Sequence, residues 1–199
     1  ENMKKIILSI SFALISILSF STKPHIANVM VNTQNSTIKW TGSKLSSSHD
    51  GNINIQKGVL MIDHGTLVGG QFSINMNSIT CNDIKSVDKN EYFVSHLKNE
   101  DFFNVEKFPS STITIVSATK SEGNIYKIIA DLTIMGITNS VAFNADVDIN
   151  GPNFLATAKI KIDRTRWGIK YKSGNFFKDL GDKIILHEIE FDISLLSAK

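Results

Sequence analysis

The sequence predicts an all-β protein, an antiparallel eight-stranded barrel with one short helical insertion. Apolar and polar residues alternate through most of the chain, as in residues 72–79 and 141–149, and turn signals such as DHGT and NGPN separate these runs. Side chains of a strand point alternately to its two faces, so each run has one apolar and one polar face. Eight such strands bury their apolar faces when the sheet closes into a barrel.

The first 22 residues have the pattern of a secretory signal peptide. Two lysines follow Met3, an apolar run comes next, and small residues follow at Ser19 and Ser21. The apolar run is shorter than the roughly 20 residues of a spanning helix, which favours cleavage over a membrane anchor. We expect cleavage near Ser21 and a mature protein that has no stable membrane span and is periplasmic or secreted. Residues 1–2 precede the start methionine and are not expected to be native.

The alternating runs place the strands in order behind a polar N-terminal segment. Residues 23–35 are polar with scattered apolar residues, which predicts a tether or an early edge strand. The barrel is predicted over residues 36–197, and the tetrapeptide HDGN at residues 49–52 is one of the turn signals within it. Its strands are predicted near residues 37–41, 53–62, 72–77, 111–119, 128–134, 141–149, 156–162 and 185–195.

One stretch interrupts the alternation. Residues 90–98 place apolar side chains at helical spacing, and residues 99–109 carry three phenylalanines and end at Pro109. A helix followed by an aromatic loop predicts a cover over one end of the barrel, with Phe102 and Phe103 facing inward. This cover is either a cork that seals a filled core or a lid over a cavity, and the composition leaves both interpretations open.

Composition and motifs exclude several function classes. The formal net charge is only +2, so nucleic acid is not expected as a partner. No motif joins Cys81, the only cysteine, to a histidine or a carboxylate, so we expect a small apolar side chain there. The five histidines lack metal-ligand spacing, so no metal site is expected. We find no nucleophile elbow, no paired carboxylates in an apolar setting and no phosphate-cradling loop, so we do not expect an enzyme.

Six motifs that follow one another between residues 36 and 196 are the strongest functional signal. They read WTGSKLSSSHDG, GGQFSINMNSI, HLKNEDFFNVEKFP, LTIMGITNSVAF, IDRTRWGI and LGDKIILHEIEFDI. Together they resemble the YceI-like family of exported bacterial proteins, which bind polyisoprenoids and related lipids. In the fifth motif Arg166 stands where that family often has an acidic residue.

This resemblance implies a hollow, lipocalin-like barrel that binds a long-chain isoprenoid or related lipid, such as a polyprenyl phosphate, a quinone or a fatty amide. It implies carriage or storage of that ligand, with no cofactor beyond the bound lipid or quinone. Small inward residues such as Ala158 either leave space for a tail or admit large neighbours from facing strands. The expected ligand contacts are Trp40, His49, Phe72, Ile74, Phe102, Phe103, Phe143, Ile160, Arg164, Trp167, Phe176, Phe177 and Phe191.

Alternatives remain open for the roles of two polar residues and for the function of the protein. His49 either meets a polar head group or makes a structural hydrogen bond, and Arg164 either holds a phosphate or quinone oxygen or pairs with Asp163 or Asp182. The alternatives to a lipid-binding protein are a structural or stress protein with a filled barrel and an enzyme acting on a lipid. The sequence leaves open whether the protein forms a homodimer.

Overall fold

Nine antiparallel strands and one α-helix make up residues 25–198, the part of the chain that the computed structural model describes. The helix α1 (Val87–Lys98) lies between the fourth and fifth strands, and short 3₁₀ turns occupy Met76–Ser78, Arg164–Trp167 and Gly181–Lys183. Within this part of the chain, no helix combines the length and the hydropathy needed to cross a membrane. The strands are β1 (Ile26–Met30), β2 (Thr37–Lys44), β3 (Ser48–Asp63), β4 (Thr66–Asn75), β5 (Ser110–Lys120), β6 (Ile125–Ile134), β7 (Ile137–Asn150), β8 (Asn153–Asp163) and β9 (Ile185–Leu196).

Eight of these strands form a closed barrel, as the sequence predicts. The order around the barrel is β3, β2, β9, β8, β7, β6, β5 and β4, and β4 pairs again with β3 to close the ring. The first and last barrel strands therefore lie side by side, with Trp40 of β2 opposite Phe191 of β9. Closure leaves no free edge among the eight strands, so their backbone groups find partners around the whole ring.

The N-terminal segment contributes a ninth strand. The tether predicted over residues 23–35 is therefore wrong in part, and the alternative of an early edge strand applies to Ile26–Met30. β3 has 16 residues, so its first half pairs with β2 and its second half with β1. Val31 then bridges Ser197, which connects the segment to the end of β9. The predicted signal peptide lies outside the described residues.

The strands alternate between the interior and solvent as the sequence predicts. In β8, Phe154 and Ile160 are buried, whereas Lys159 and Lys161 are exposed. On the outer surface Nζ of Lys161 lies 2.7 Å from Oε1 of Glu190 in the neighbouring β9. Such exposed ion pairs contribute little, whereas each large apolar side chain removed from water contributes roughly 1.5–3 kcal/mol. The inner faces therefore dominate the stability of the barrel.

One predicted turn is wrong, and Gly51 explains why. The sequence HDGN lies inside β3, and the turn between β2 and β3 comes earlier, at residues 45–47. A Cβ on Gly51 would lie 1.8 Å from the carbonyl oxygen of Thr80. That oxygen accepts a hydrogen bond from the indole Nε1 of Trp40, and the Thr80 N–H donates to the carbonyl of Asn52. Glycine is present because the backbone of Thr80 approaches closely. In sequence, such a glycine looks the same as one that marks a turn.

Gly51→Ala should destabilise the protein by more than about 2 kcal/mol, because the new methyl group displaces Thr80 and breaks the bond from Trp40. Gly42→Ala is the matched control, since Gly42 lies in the paired strand β2 and nothing approaches within 4 Å of its added Cβ. The control should change stability by less than about 1 kcal/mol. Urea unfolding of both variants measures the difference, and equal losses would contradict this explanation of Gly51.

Candidate functional site

The barrel encloses an apolar cavity near the end where β2 finishes and β3 and β9 begin. This upper cavity has a volume of about 190 Å³, and its walls are almost wholly apolar. Its polar neighbours lie at one end of the cavity. At that end the last residues of β2 pair with the first residues of β3 and β9. Those polar residues include Lys44, His49, Arg164 and Glu188. The apolar lining includes Ile38, Trp40, Ile53, Ile74, Met76, Ile79, Phe93, Leu97, Phe102, Phe103, Ile113, Leu132, Ile134, Val141, Ile160, Ile185, Ile189, Phe191 and Ile193.

A second, smaller cavity of about 80 Å³ lies deeper in the barrel. Phe72 and Phe143 line it, together with the small side chains of Ala145, Ala156 and Ala158. Space therefore remains beside these alanines, so large neighbours from the facing strands do not fill it completely. The upper and lower cavities share five lining residues, which we call the isoleucine ring: Ile38, Ile74, Ile113, Ile160 and Ile193.

The cover over the upper cavity consists of α1 and residues 99–109, which together we call the lid. The predicted helix is confirmed, although it begins at Val87, three residues before the expected start. Leu97 is buried, and the Phe93 ring centroid lies 4.5 Å from that of His49 and 6.5 Å from that of Trp40. The helix therefore lies directly against the polar end of the cavity.

The aromatic loop of the lid turns back on the helix. The N–H groups of Phe103 and Val105 donate to the carbonyls of Leu97 and Lys98, at 3.1 and 2.8 Å. Phe102 is buried, and its ring centroid lies 5.2 Å from His96 and 5.3 Å from Tyr171. Phe103 is only partly buried, and both phenylalanines line the upper cavity. The loop thus has one residue fixed in an aromatic cluster and one that is less constrained.

The structure brings most of the predicted ligand contacts together. Phe72 and Phe143 lie along the lower cavity. The predicted contacts that line the upper cavity are Trp40, His49, Ile74, Phe102, Phe103, Ile160, Arg164 and Phe191.

Three predicted aromatic walls of the cavity are wrong. Phe176 and Phe177 are about half exposed and line neither cavity, because they lie in an irregular segment where both N–H groups donate to the carbonyl of Ser173. Trp167 is fully buried but lies in the 3₁₀ turn after β8, where its indole donates to the carbonyl of Leu132 at 3.0 Å. Strand alternation does not extend into these segments, so it could not place their side chains.

The sequence analysis also missed cavity residues. Phe93 and Leu97 lie four residues apart on α1, and this helical spacing could have identified both. Ile113 of β5 lines both cavities and follows the same alternation as the predicted contacts. Tyr171 contacts the lid from an irregular segment, and no local pattern marks it.

Arg164 is a buried cation held by backbone carbonyls. Its guanidinium donates to the carbonyls of Leu186, Ile169 and Ile185 at 3.0, 2.8 and 3.0 Å. Burial lowers the pKa of Arg164, and the charge of Asp163 acts in the opposite direction. Among the described residues Arg164 has no salt bridge, so the alternative of a direct pair with Asp163 or Asp182 is wrong. Arg164 joins the end of β8 to the start of β9 beside the upper cavity.

His49 makes a structural hydrogen bond within a polar cluster at the same end. Its Nδ1 lies 2.8 Å from Oδ2 of Asp83, and the thiol of Cys81 donates to Oδ1 of Asp83 at 3.2 Å. Partial burial acts to raise the pKa of Asp83, but hydrogen bonds from His49, Cys81 and the Asp50 N–H lower it to about 2. Burial raises the pKa of the Cys81 thiol, so the thiol is protonated at neutral pH. Cys81 is buried as predicted, but its pairing with Asp83, two residues later, was missed.

The sequence matches the YceI-like domain over residues 30–195. The chain belongs to the YceI-like family. Curated relatives include UPF0312 proteins of Photorhabdus laumondii, 35% identical over 96 residues, and of Staphylococcus aureus strain MRSA252, 44% identical over 63 residues. The first match covers 44% of this chain and 45% of the relative, and the second covers 32% and 33%. These matches span less than half of each relative's length.

Solved structures share the fold of this YceI-like chain. Burkholderia cenocepacia BcnA gives a TM-score of 0.67 at 18% identity, covering 84% of this chain and 99% of BcnA. A polyisoprenoid-binding domain from Saccharophagus degradans gives a TM-score of 0.62 at 12% identity, covering 88% of this chain and 98% of that domain. A Campylobacter jejuni YceI protein gives 0.53 at 18% identity, covering 99% of both chains. At these identities the similarity concerns the barrel fold.

The YceI-like barrel accommodates Arg166 on its surface. The side chain is exposed, its Nη2 donates to the carbonyl of Ser140 at 3.3 Å, and its guanidinium lies 5.4 Å from the ring centroid of Trp167. Arg166 lines neither cavity. The departure from the usual family motif therefore leaves the cavity walls unchanged.

Proposed function

We propose that this protein binds one long-chain isoprenoid or related lipid, with the apolar tail inside the barrel, for carriage or storage. The observation that carries the proposal is the upper cavity, whose walls are almost wholly apolar and whose polar residues gather at one end. An apolar tail gains about 25 cal/mol for each Å² of its surface removed from water. The polyisoprenoid-binding domain of Saccharophagus degradans, which has the same fold, supports this class of ligand.

The polar end of the cavity fits a ligand head group. Lys44 and Arg164 supply positive charge there, Glu188 supplies negative charge, and His49 also lines the cavity. With Nδ1 of His49 donating to Asp83, the other ring nitrogen remains available to accept from a ligand hydroxyl. A few polar groups in an otherwise apolar pocket orient a ligand rather than supply most of its affinity. We infer that the head group lies at this end and that the tail points toward the isoleucine ring.

The isoleucine ring sets how far a tail reaches. It lies between the upper cavity of about 190 Å³ and the lower cavity of about 80 Å³. A short tail fills the upper cavity alone, whereas a long tail passes the ring when its side chains change rotamer. The alternative of a structural protein predicts a filled barrel, and the two cavities favour ligand binding over it. The protonated Cys81 thiol gives no support to the alternative of an enzyme with a cysteine nucleophile.

Ala158→Phe should fill the lower cavity and shorten the longest tail that the protein accepts. Ala158 lines that cavity, whereas Ala142, in the neighbouring β7, points to solvent and provides the control Ala142→Phe. Organic extraction of the purified proteins, followed by mass spectrometry, should recover a long apolar ligand from the wild type and the control. The Ala158→Phe variant should yield shorter ligands or none, with its fold retained.

The extraction also provides the outcome that would overturn the proposal. A wild-type protein that releases no apolar molecule, and takes up none from added long-chain lipids, does not bind this class of ligand. In a barrel that collapses to a filled core, Ala158→Phe would instead cost about 1–3 kcal/mol through overpacking. Thermal unfolding of both variants separates these outcomes.

Phe103→Ala should speed ligand release with little loss of stability, because Phe103 covers the upper cavity from a partly exposed position. Phe102→Ala is the contrasting change: its ring packs between His96 and Tyr171, and its removal should cost about 3–5 kcal/mol. Displacement of a fluorescent long-chain lipid measures release, and urea unfolding measures stability. If Phe103→Ala leaves release unchanged and costs as much as Phe102→Ala, the segment is a cork.

We propose that the protein acts outside the cytoplasm, in the periplasm or as a secreted protein. The proposal rests on the basic, apolar and small-residue order of the first 22 residues. N-terminal sequencing of protein recovered from outside the cytoplasm should show a new start between about Ser21 and Lys23. Recovery of membrane-bound protein that still begins at Met3 would contradict the proposal.

A further inference from the structure

The described part of the chain contains one group of three metal-ligating side chains: His49, Cys81 and Asp83. Their donor atoms all lie within 4.8 Å of one another. We propose that these three residues form a binding site for a divalent cation of the zinc class, with water as the fourth ligand. The sequence analysis expected no metal site, because the five histidines are isolated and lack the spacing of metal ligands.

The donor set suits zinc in type and in spacing. Zinc binds imidazole nitrogen, thiolate sulfur and carboxylate oxygen, and sites with three protein ligands keep one position open. Bond lengths of about 2.0–2.3 Å place tetrahedral ligands roughly 3.3–3.8 Å apart. Here Nδ1 of His49 lies 2.8 Å from Oδ2 of Asp83, and Sγ of Cys81 lies 3.2 Å from Oδ1. The three donors, which lie within 4.8 Å of one another, therefore reach tetrahedral spacing only after their side chains move.

The ion replaces protons that now hold the cluster together. The Cys81 thiol loses its proton to solvent, and His49 coordinates through Nδ1 with the ring proton on Nε2. With Asp83 already ionised, one thiolate and one carboxylate balance the two positive charges of the cation. The resulting site is electrically neutral, which suits the partly buried position of its ligands.

Surrounding hydrogen bonds hold the three ligands in place. The Asp50 N–H donates to Oδ1 of Asp83 at 3.1 Å, which fixes the carboxylate against β3. The side-chain amide of Asn90 donates to the carbonyls of Cys81 and Ile84, each at 2.9 Å. Such outer partners orient metal ligands and commonly change metal affinity by about 10–100-fold. His49 and Asp83 remain partly exposed, so an ion can enter from solvent.

A structural cluster without metal is the competing interpretation. Two other histidine–aspartate pairs, His64–Asp63 and His96–Asp101, have similar distances of 2.7 and 2.9 Å. Neither of these pairs has a thiol, so neither offers a third ligand of this kind. The added cysteine distinguishes the His49 cluster. A bound ion would join the start of β3 to the segment that leads into α1. The helix begins four residues after Asp83.

Cobalt titration of protein stripped with a chelator tests the site, because cobalt thiolates absorb in the near ultraviolet. The wild type should develop this absorption up to one equivalent of Co²⁺ and lose it when Zn²⁺ is added. Cys81→Ser should abolish the absorption. His49→Gln and Asp83→Asn keep the thiol and should each weaken binding at least about tenfold. His64→Gln, which alters a pair without a thiol, should bind like the wild type.

Two outcomes overturn the proposal. One is a wild-type protein that develops no thiolate–cobalt absorption. The other is equal absorption and affinity in the wild type, His49→Gln and Asp83→Asn, which would mean that the metal binds the thiol alone. If Cys81→Ser fails to fold, the two variants that keep the thiol still decide the question. None of these results depends on whether the barrel binds a lipid.

Discussion

The pairing of β4 with β3 is the constraint on which the rest of the structure depends. It closes eight strands into a ring, and the ring turns the apolar face of every strand toward one interior. A ring of eight strands is wide enough either to be filled by side chains or to hold one small ligand, so the sizes of the inner side chains decide between the two. Alanines in β7 and β8 leave the lower cavity open, while the isoleucine ring separates it from the upper one. A hollow interior thus follows from closure together with small side chains at a few positions.

The polar end of the barrel is organised by irregular segments rather than by strands. The Arg164 guanidinium, at the end of β8, donates to carbonyls at the start of β9. The carbonyl of Thr80, which lies against Gly51, accepts a hydrogen bond from the indole of Trp40. The segment between β4 and α1 brings Cys81 and Asp83 to His49. Each contact places a polar or aromatic group beside the cavity. The chemistry of the site therefore belongs to loops held by the rigid sheet.

Sequence alternation predicted the strands and most of the cavity wall, since a side chain in a strand has only two directions. It also predicted the helical cover, because apolar residues there change to helical spacing. The same reasoning failed where the backbone leaves regular structure and where a glycine inside a strand resembles a turn signal. Phe176 and Phe177 turn outward in an irregular segment, and HDGN mimics a turn because Gly51 serves a close approach. The cluster of His49, Cys81 and Asp83 arises from tertiary contact alone, so no local pattern could reveal it.

β1, the strand outside the ring of eight, determines the end of the barrel at which residue 25 lies. β3 runs from His49, beside the lid, to Asp63 at the opposite end, and Ile26 pairs with Asp63. Residue 25, the first residue that the structure describes, therefore lies at the end of β3 farthest from the lid. An attachment made at residue 25 would hold the molecule by the end opposite the lid, with the lid and the polar end of the cavity directed toward the surrounding solution.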